Sequence, residues 1–351
     1  METTKKSNPS KVFLTIFISL AFAALFMWLA IRGLDLKKIE VSLSKANYLW
    51  VLVSAVFGLL AYWFRAVRWN LLLEPLGYKI SNSNALWSIS FGYLMNLTIP
   101  RSGEVARATA LYGVEKVSVD RSFGTIILER VIDLLCMLVF LGLTLVFKYD
   151  AIVSFYKNSG FHFDPVWPIS IVLIGLIGVF LFFKFKENFR KYPLLSKIID
   201  FIDGIFNGLT SVFKLKQKIR FLVYTMLIWV SYYLAAYMIC FALPETSDFT
   251  WADGFYLLVI GTLGMIVPAS GGIGAFHFAL KLGVSALFLS MKRSPEIGAE
   301  VGLSYAFLSH TLQMVIMLVM GLISIPMLAA GRKKKSIKQT FFTARCLFFR
   351  L

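Results

Sequence analysis

The stretch 98–108 places charged residues inside a part of the chain that is otherwise strongly apolar. It contains three ionisable side chains and two helix-breaking residues: Arg101, Glu104, Arg107, Pro100 and Gly103. Guanidinium groups bind carboxylates and phosphates, and free N–H groups at the start of a helix after a break also attract anions. The pattern therefore predicts an anion-binding turn. A solvated turn at the end of an apolar segment is the alternative interpretation.

Two other apolar segments carry charges at helical spacing. Arg65 and Arg68 are three residues apart, and Glu129 and Asp133 are four apart, with Arg130 between them. A charge in an apolar span costs about 3 kcal/mol or more unless it faces a cavity or a partner, so all five are candidate site residues. A structural pair of Arg130 with Asp133 is the first alternative. Extension of Arg65 and Arg68 to lipid phosphates is the second.

The second half of the chain offers imidazole and amine groups instead. His277 and Lys281 are one helical turn apart, and His310 lies near the middle of a later apolar run. Imidazole exchanges protons near neutral pH, so proton coupling is one hypothesis for these residues. Packing within a helix bundle is the other.

Composition identifies the elements that must position these groups. Hydrophobic residues make up 58% of the 351 residues and charged residues only 16%, which is too apolar for an ordinary soluble domain. Windows of about 20 apolar residues recur, enough to cross a bilayer, and they do not alternate as β-barrel strands do. The sequence therefore predicts an all-α polytopic membrane protein. The net charge of +17 then indicates a basic cytoplasmic face, not a nucleic-acid partner.

Six full spans are predicted, together with two broken re-entrant hairpins at 85–110 and 253–289, or eight transmembrane segments in another count. The full spans are 11–31, 47–69, 122–147, 167–185, 220–243 and 299–328. The breaks contain proline, serine and glycine: Pro100, Ser102 and Gly103 in the first, and Pro268, Ser270, Gly271 and Gly272 in the second. Backbone that is not helical at membrane depth must be buried in protein or line a wet cavity.

The two halves share one order of elements: a span, a broken hairpin and a span. Pro100 and Pro268 begin matching Pro-x-Ser-Gly elements, 268 − 100 = 168 residues apart. With the N-terminus inside, the two hairpins enter from opposite sides, as in inverted-topology repeats that build a midplane site from broken helices. The expected units are 1–46, repeats at 47–147 and 220–328, a linker at 148–219 with an amphipathic helix at 190–215, and a basic tail at 329–351.

The distribution of Lys and Arg predicts the orientation of the chain. Half of the 36 Lys and Arg lie in 1–11, 70–84, 186–219 and 329–351, which predicts both termini in the cytoplasm and the protein in the cytoplasmic membrane. The segment 32–46 is also basic, although this topology places it outside. The apolar run at 11–31 is too long for a cleavable signal, so we expect a retained helix.

Four motifs in order resemble the flippase-like integral-membrane family that includes the membrane domain of lysylphosphatidylglycerol synthase. They read RAVRWNLLL, NLTIPRSGEVARATAL, ERVIDLL and IVPASGGIGAFHFAL, and the resemblance spans residues 47–328. The Pro-x-x-Gly-Glu-x-x-Arg element is the most specific of them. The resemblance implies movement of polar-headed lipids between leaflets.

The resemblance also carries site residues onto this chain: Arg65, Arg68, Glu104, Arg107, Arg130 and Asp133. Members of the family often have an acid shortly after the second glycine-rich turn, where this chain has His277. From its length of 351 residues, we do not expect this chain to include the soluble aminoacyl-transferase domain of the synthase or to make lysylphosphatidylglycerol by itself. We therefore expect a separate lipid-modifying enzyme as a possible partner.

A lipid flippase or scramblase is the leading functional hypothesis, with an anionic, aminoacylated or polyprenyl-linked lipid as substrate. An ion-coupled transporter of a small anionic solute is the alternative. A more remote one is an intramembrane serine protease that uses Ser270 with His310 as base. We expect no enzymatic activity, no cofactor and no metal, and the chain has no phosphate-binding loop for ATP hydrolysis.

Overall fold

The computed structural model describes residues 9–99, 101–158 and 215–348, and helices and turns make up the regular structure there. The helices in these ranges are α1 (Pro9–Ile31), α2 (Leu36–Ser44), α3 (Tyr48–Leu73), α4 (Asn82–Thr98), α5 (Gly103–Glu115), α6 (Val119–Phe147), α7 (Tyr149–Asn158), α8 (Lys218–Cys240), α9 (Trp251–Gly264), α10 (Ala275–Ser290) and α11 (Pro295–Phe348). Pro100, the predicted span 167–185 and nearly all of the predicted helix 190–215 lie outside the described residues.

Five of the described helical segments are long and apolar enough to cross a membrane. They are Tyr48–Leu76, Val119–Phe147, Lys218–Cys240, Ser270–Ser290 and Pro295–Lys333. A sixth crossing results if Ile16–Ile31 and Leu36–Ser44, which meet at 88°, form one bent span. The prediction of an all-α polytopic membrane protein is confirmed. The exact number of spans and the inverted repeat remain predictions.

The first hairpin consists of α4 and α5, which have 17 and 13 residues. They are separated by a turn in which Arg101 adopts a left-handed φ of 59°. The backbone N–H of Gly103 donates to Asn96 Oδ1 at 2.7 Å. A Cβ on Gly103 would lie 2.5 Å from the Gly92 carbonyl oxygen. Glycine at this position therefore allows α4 and α5 to pack closely.

The second hairpin consists of α9 and α10, which have 14 and 16 residues, joined through the short 3-10 turn Ser270–Gly272. Gly271, Gly272 and Gly274 all have positive φ, which side chains other than glycine rarely tolerate. Counted with this turn, α10 reaches 21 residues, the length of a membrane crossing. In this respect it differs from the shorter helices of the first hairpin.

The tips of the two hairpins contact each other. The Ser270 hydroxyl donates to the Leu97 carbonyl at 3.1 Å, and Arg101 Nη2 donates to the Ile266 carbonyl at 3.3 Å. Both bonds satisfy backbone carbonyls near helix ends, which have no partner within their own helix. The irregular chain at each tip is therefore stabilised by the opposite hairpin.

Helices of each half pack on helices of the other half. The first span of each half, α3 and α8, pack along each other. The first hairpin packs on α11, the last helix of the second half, while α9 in the second hairpin packs on α6. α11 continues past residue 328, so the predicted tail at 329–351 begins inside a helix.

We expect Gly274→Ala to destabilise the protein more than Gly33→Ala. Both glycines have positive φ, which costs about 1–2 kcal/mol for a residue with a Cβ. A Cβ at Gly274 would also lie 2.5 Å from backbone atoms of Ala23 and Met27 in α1, whereas Gly33 has open space. Thermal unfolding in detergent, followed by size-exclusion chromatography, measures the difference. Equal losses in the two variants would contradict the close packing of α1.

Candidate functional site

Asp133 binds two arginines from another helix. Its carboxylate accepts from Arg65 Nη2 at 3.2 Å and from Arg68 Nη1 at 2.9 Å. The spacing of three residues puts both arginines on one face of α3, toward α6. Their side chains are only 5% and 0% exposed, so the alternative that they extend to lipid phosphates is wrong.

Glu129, one turn before Asp133 on α6, binds the third arginine. Arg107 of α5 donates through Nη1 to Oε2 at 2.6 Å and through Nη2 to Oε1 at 3.3 Å, a two-bond contact with a carboxylate that is 0% exposed. The Arg107 guanidinium lies 3.6 Å from the centre of the Trp69 ring. Trp69 is oriented in turn by a bond from Nε1 to Thr125 Oγ1 at 2.9 Å.

We call these five ionisable residues the arginine cluster: Arg65, Arg68, Arg107, Glu129 and Asp133. Three guanidinium groups against two carboxylates leave one positive charge in excess. Four guanidinium nitrogens are buried without a hydrogen-bond partner: Arg65 Nε, Arg68 Nε, Arg68 Nη2 and Arg107 Nε. Buried donors without partners are costly, and an anion is the ligand that would satisfy them.

Arg130 and Glu104 form a separate pair at the edge of the arginine cluster. Arg130 Nη2 donates to Glu104 Oε1 at 3.0 Å, and the two side chains are 45% and 29% exposed. The alternative that pairs Arg130 with Asp133 is therefore wrong. Asp133 points toward α3, whereas Arg130 points across to α5, so the two side chains find different partners.

Arg101, Ser102 and Gly103, at the first break, do not join the arginine cluster. The Ser102 hydroxyl donates to the carbonyls of Met95 and Ile99, and Arg101 reaches the second hairpin. The expectation that free N–H groups follow the glycines stays a prediction, although the N–H groups of the glycines themselves are bonded. The Gly103 N–H is bonded to Asn96, and the Gly272 N–H is bonded to the Ala269 carbonyl.

In the second half, His277 and His310 lie together. Their ring centres are 5.0 Å apart, and His310 Nε2 is 2.8 Å from the Gly271 carbonyl oxygen. We call these two residues the histidine pair. Because the Ser270 hydroxyl is bonded to Leu97 instead, the Ser270–His310 contact that a protease would need is not present.

Lys281 and Pro268 lie outside both groups. The Lys281 ammonium donates to the carbonyls of Leu29 and Arg32 at 3.2 and 2.9 Å. These carbonyls lie at the end of α1, so the lysine caps that helix. Pro268 lies in the irregular segment before the Ser270–Gly272 turn.

Two polar residues of α8 that sequence reasoning did not select also reach the arginine cluster. Tyr232 accepts from Arg65 Nη1 at 2.7 Å, and Thr225 lies 3.5 Å from Arg68 Nη1. They are seven residues apart, on one face of an apolar helix. That spacing of polar residues on an apolar helix is the sequence signal that indicates a polar face on α8. The described residues hold no group of three or more His, Cys, Asp or Glu that could bind a metal ion.

A bundle of apolar helices that buries an ionic cluster defines an integral, multi-pass membrane protein. Its family is identified by a match over residues 16–329 to the family described as "Lysylphosphatidylglycerol synthase TM region". The chain belongs to this family. No solved structure matches it significantly.

Three relatives are similar at low identity. UPF0104 membrane protein MJ1595 of Methanocaldococcus jannaschii is 23% identical over 86% of this chain and 92% of its own length. UPF0104 membrane protein PH1989 of Pyrococcus horikoshii is 21% identical over 83% and 90%. Glycosyltransferase AglD of Haloferax volcanii is 22% identical over 88% of this chain, which matches 53% of that protein.

We expect Arg107→Gln and Glu129→Gln each to destabilise the protein strongly. The double variant should lose less stability than the sum of the losses in the two single variants. Removing one member of a buried pair leaves the other charge unpaired, at a cost of about 3–5 kcal/mol. The exposed pair Arg130→Gln with Glu104→Gln is the matched control, with losses of about 0–1 kcal/mol. Thermal unfolding of all six variants in detergent measures both sets. Additive losses at Arg107 and Glu129 would contradict the contact.

Proposed function

We propose that this protein moves a lipid with an anionic, phosphate-bearing headgroup from one leaflet of the membrane to the other. The observation that carries the proposal is the buried excess positive charge of the arginine cluster. A phosphodiester has one negative charge and oxygens that accept from guanidinium groups. Its binding would neutralise the excess and satisfy donors that have no partner within the protein.

Burial explains why such a site suits transport. Moving a charged headgroup through the hydrocarbon core is costly because the core provides no hydrogen bonds. The arginine cluster replaces water with fixed donors inside the helix bundle. The acyl chains need no such replacement, because they stay in lipid throughout.

The Arg130–Glu104 pair marks the side from which a lipid headgroup would enter the arginine cluster. It is partly exposed, while Glu129 and Asp133, its neighbours on α6, point into the arginine cluster. A headgroup that arrives from the lipid would meet Arg130 first and then the two arginines held by Asp133. The surrounding surface of α6 is apolar, with Leu134, Leu135 and Leu138 exposed.

Membership of the lysylphosphatidylglycerol synthase family supports a role that concerns membrane lipids. One relative is named a glycosyltransferase, but this chain matches only 53% of it, so we do not extend sugar transfer to this chain. We propose transport without covalent chemistry, in the cytoplasmic membrane with both termini inside, and with a lipid supplied by a separate enzyme. The Lys- and Arg-rich segments 1–11 and 329–351 support that orientation.

The test is exchange of fluorescent lipids in liposomes that contain the purified protein. Labelled phosphatidylglycerol in the inner leaflet becomes reachable by an impermeant quencher only if it crosses the membrane. We expect rapid exchange with the wild type and a loss of about tenfold or more in Arg68→Gln, equivalent to about 1.4 kcal/mol of lost headgroup binding in the crossing state. Arg220→Gln, at an exposed arginine of α8 that donates to Gln217, is the matched control.

The headgroup itself provides a second comparison. A labelled glycolipid without phosphate should cross more slowly than phosphatidylglycerol, because it brings no anion to the arginine cluster. Equal rates for both lipids, or for Arg68→Gln and Arg220→Gln, would overturn the proposal. Uptake of radiolabelled inorganic phosphate that depends on Arg68, without lipid exchange, would support the alternative of a transporter for a small anionic solute.

A further inference from the structure

The histidine pair is a buried group of titratable residues that lipid binding at the arginine cluster does not use. His277 of α10 is 4% exposed and His310 of α11 is 1% exposed. Their rings face each other with centres 5.0 Å apart. The pair lies against the Ser270–Gly272 turn, which bonds to the tip of the first hairpin.

The contact with Gly271 fixes the tautomer of His310. A carbonyl oxygen only accepts hydrogen bonds, so His310 Nε2 must carry the hydrogen that the Gly271 oxygen receives. In a neutral ring the other nitrogen, Nδ1, then has a free lone pair. This Nδ1 is buried and has no hydrogen-bond partner, and the same is true of His277 Nδ1. His310 therefore holds a basic nitrogen that only a proton or a donor can satisfy.

The surroundings leave the two rings to interact mainly with each other. Phe307 packs on His277 and Phe276 on His310, each at 4.8 Å between ring centres. His277 faces the His310 ring, and His310 in turn bonds to the Gly271 carbonyl.

Four charged side chains on the helices that carry or contact the pair have other partners. Lys281 of α10 caps α1, and Glu300 of α11 pairs with Lys38 of α2 at 3.1 Å. Arg32, at the end of α1, lies over the Trp28 ring. Asp253 of α9 pairs with Lys148 at 2.6 Å.

We propose that His277 and His310 bind a single proton as a unit, at His310 Nδ1, and that this proton controls the contact between the hairpin tips. One proton makes one imidazolium beside a neutral ring. A second would place two like charges about 5 Å apart in an apolar setting, so the pair takes up one proton and not two. This makes the second hairpin a proton site, separate from the arginine cluster.

The bound proton strengthens the bond to the turn. A charged imidazolium donates more strongly to a carbonyl than a neutral ring does, so the protonated pair holds Gly271 more firmly. The Ser270–Gly272 turn is itself attached to the first hairpin by the hydrogen bond from Ser270 to Leu97. Protonation therefore favours the state in which the two tips are joined, and loss of the proton favours their separation. The link to lipid movement, although not the proton site, rests on the proposed function.

The proton site is testable by nuclear magnetic resonance, because the chain has only three histidines. The third, His162, lies outside the described residues and is removed as His162→Gln. The protein, labelled with ¹⁵N-histidine in lipid nanodiscs, is titrated between about pH 8 and pH 4. We expect the Nε2–H tautomer of His310 at high pH and one shared step in which both rings shift with uptake of one proton. Two independent steps, or no protonation in this range, would overturn the proposal.

The link to transport is tested by lipid exchange at different pH values. We expect exchange in the wild type to fall about fivefold from the deprotonated to the protonated state, the effect of a charge-assisted bond about 1 kcal/mol stronger than a neutral one. His310→Gln should lose this pH dependence whatever its absolute rate, and His162→Gln should keep it. Retention of the full dependence in folded His310→Gln would overturn the link. If the wild type moves no lipid, the proposed function fails, while the titration still decides the proton site.

Discussion

Pairing of buried guanidinium groups with two carboxylates is the interaction on which the rest of the structure depends. Glu129 and Asp133 lie one turn apart on α6, and between them they bind arginines from α3 and α5. Without these carboxylates, three positive charges would be buried in an apolar bundle at a cost of several kcal/mol each, by the order of magnitude of buried ions. The contacts therefore also fix how the first hairpin packs between the two spans of its own half.

The two halves place different chemistry between the second helix of the hairpin and the last helix. In each half, the second helix of the hairpin contacts the last helix through a pair of buried polar side chains. In the first half these are Arg107 and Glu129, which are held by charge. In the second half they are His277 and His310, whose rings lie against aromatic neighbours. One arrangement of helices thus supports an ionic contact on one side and an imidazole contact on the other.

Sequence reasoning predicted the class of fold and named all five members of the arginine cluster as candidates, because long apolar runs and charges within them are local signals. It could not predict which charges pair. Arg130 and Asp133 are close in sequence, yet they point to different helices, and that direction depends on how α3 and α5 pack on α6. Tyr232 was missed for a related reason. Its spacing from Thr225 marks one face of α8, but the sequence does not tell which group that face contacts until Arg65 is placed beside it.

The two halves differ in the hydration free energy that would be gained if water entered between their helices. Water that entered between the helices of the first half would hydrate five charged groups, a large favourable change for ions. Water that entered at the second hairpin would meet two rings, a carbonyl and a serine hydroxyl, and would gain far less. Any rocking of one half against the other therefore starts from unequal hydration energies. A ligand that neutralises the arginine cluster reduces that inequality and brings the two open forms closer in energy.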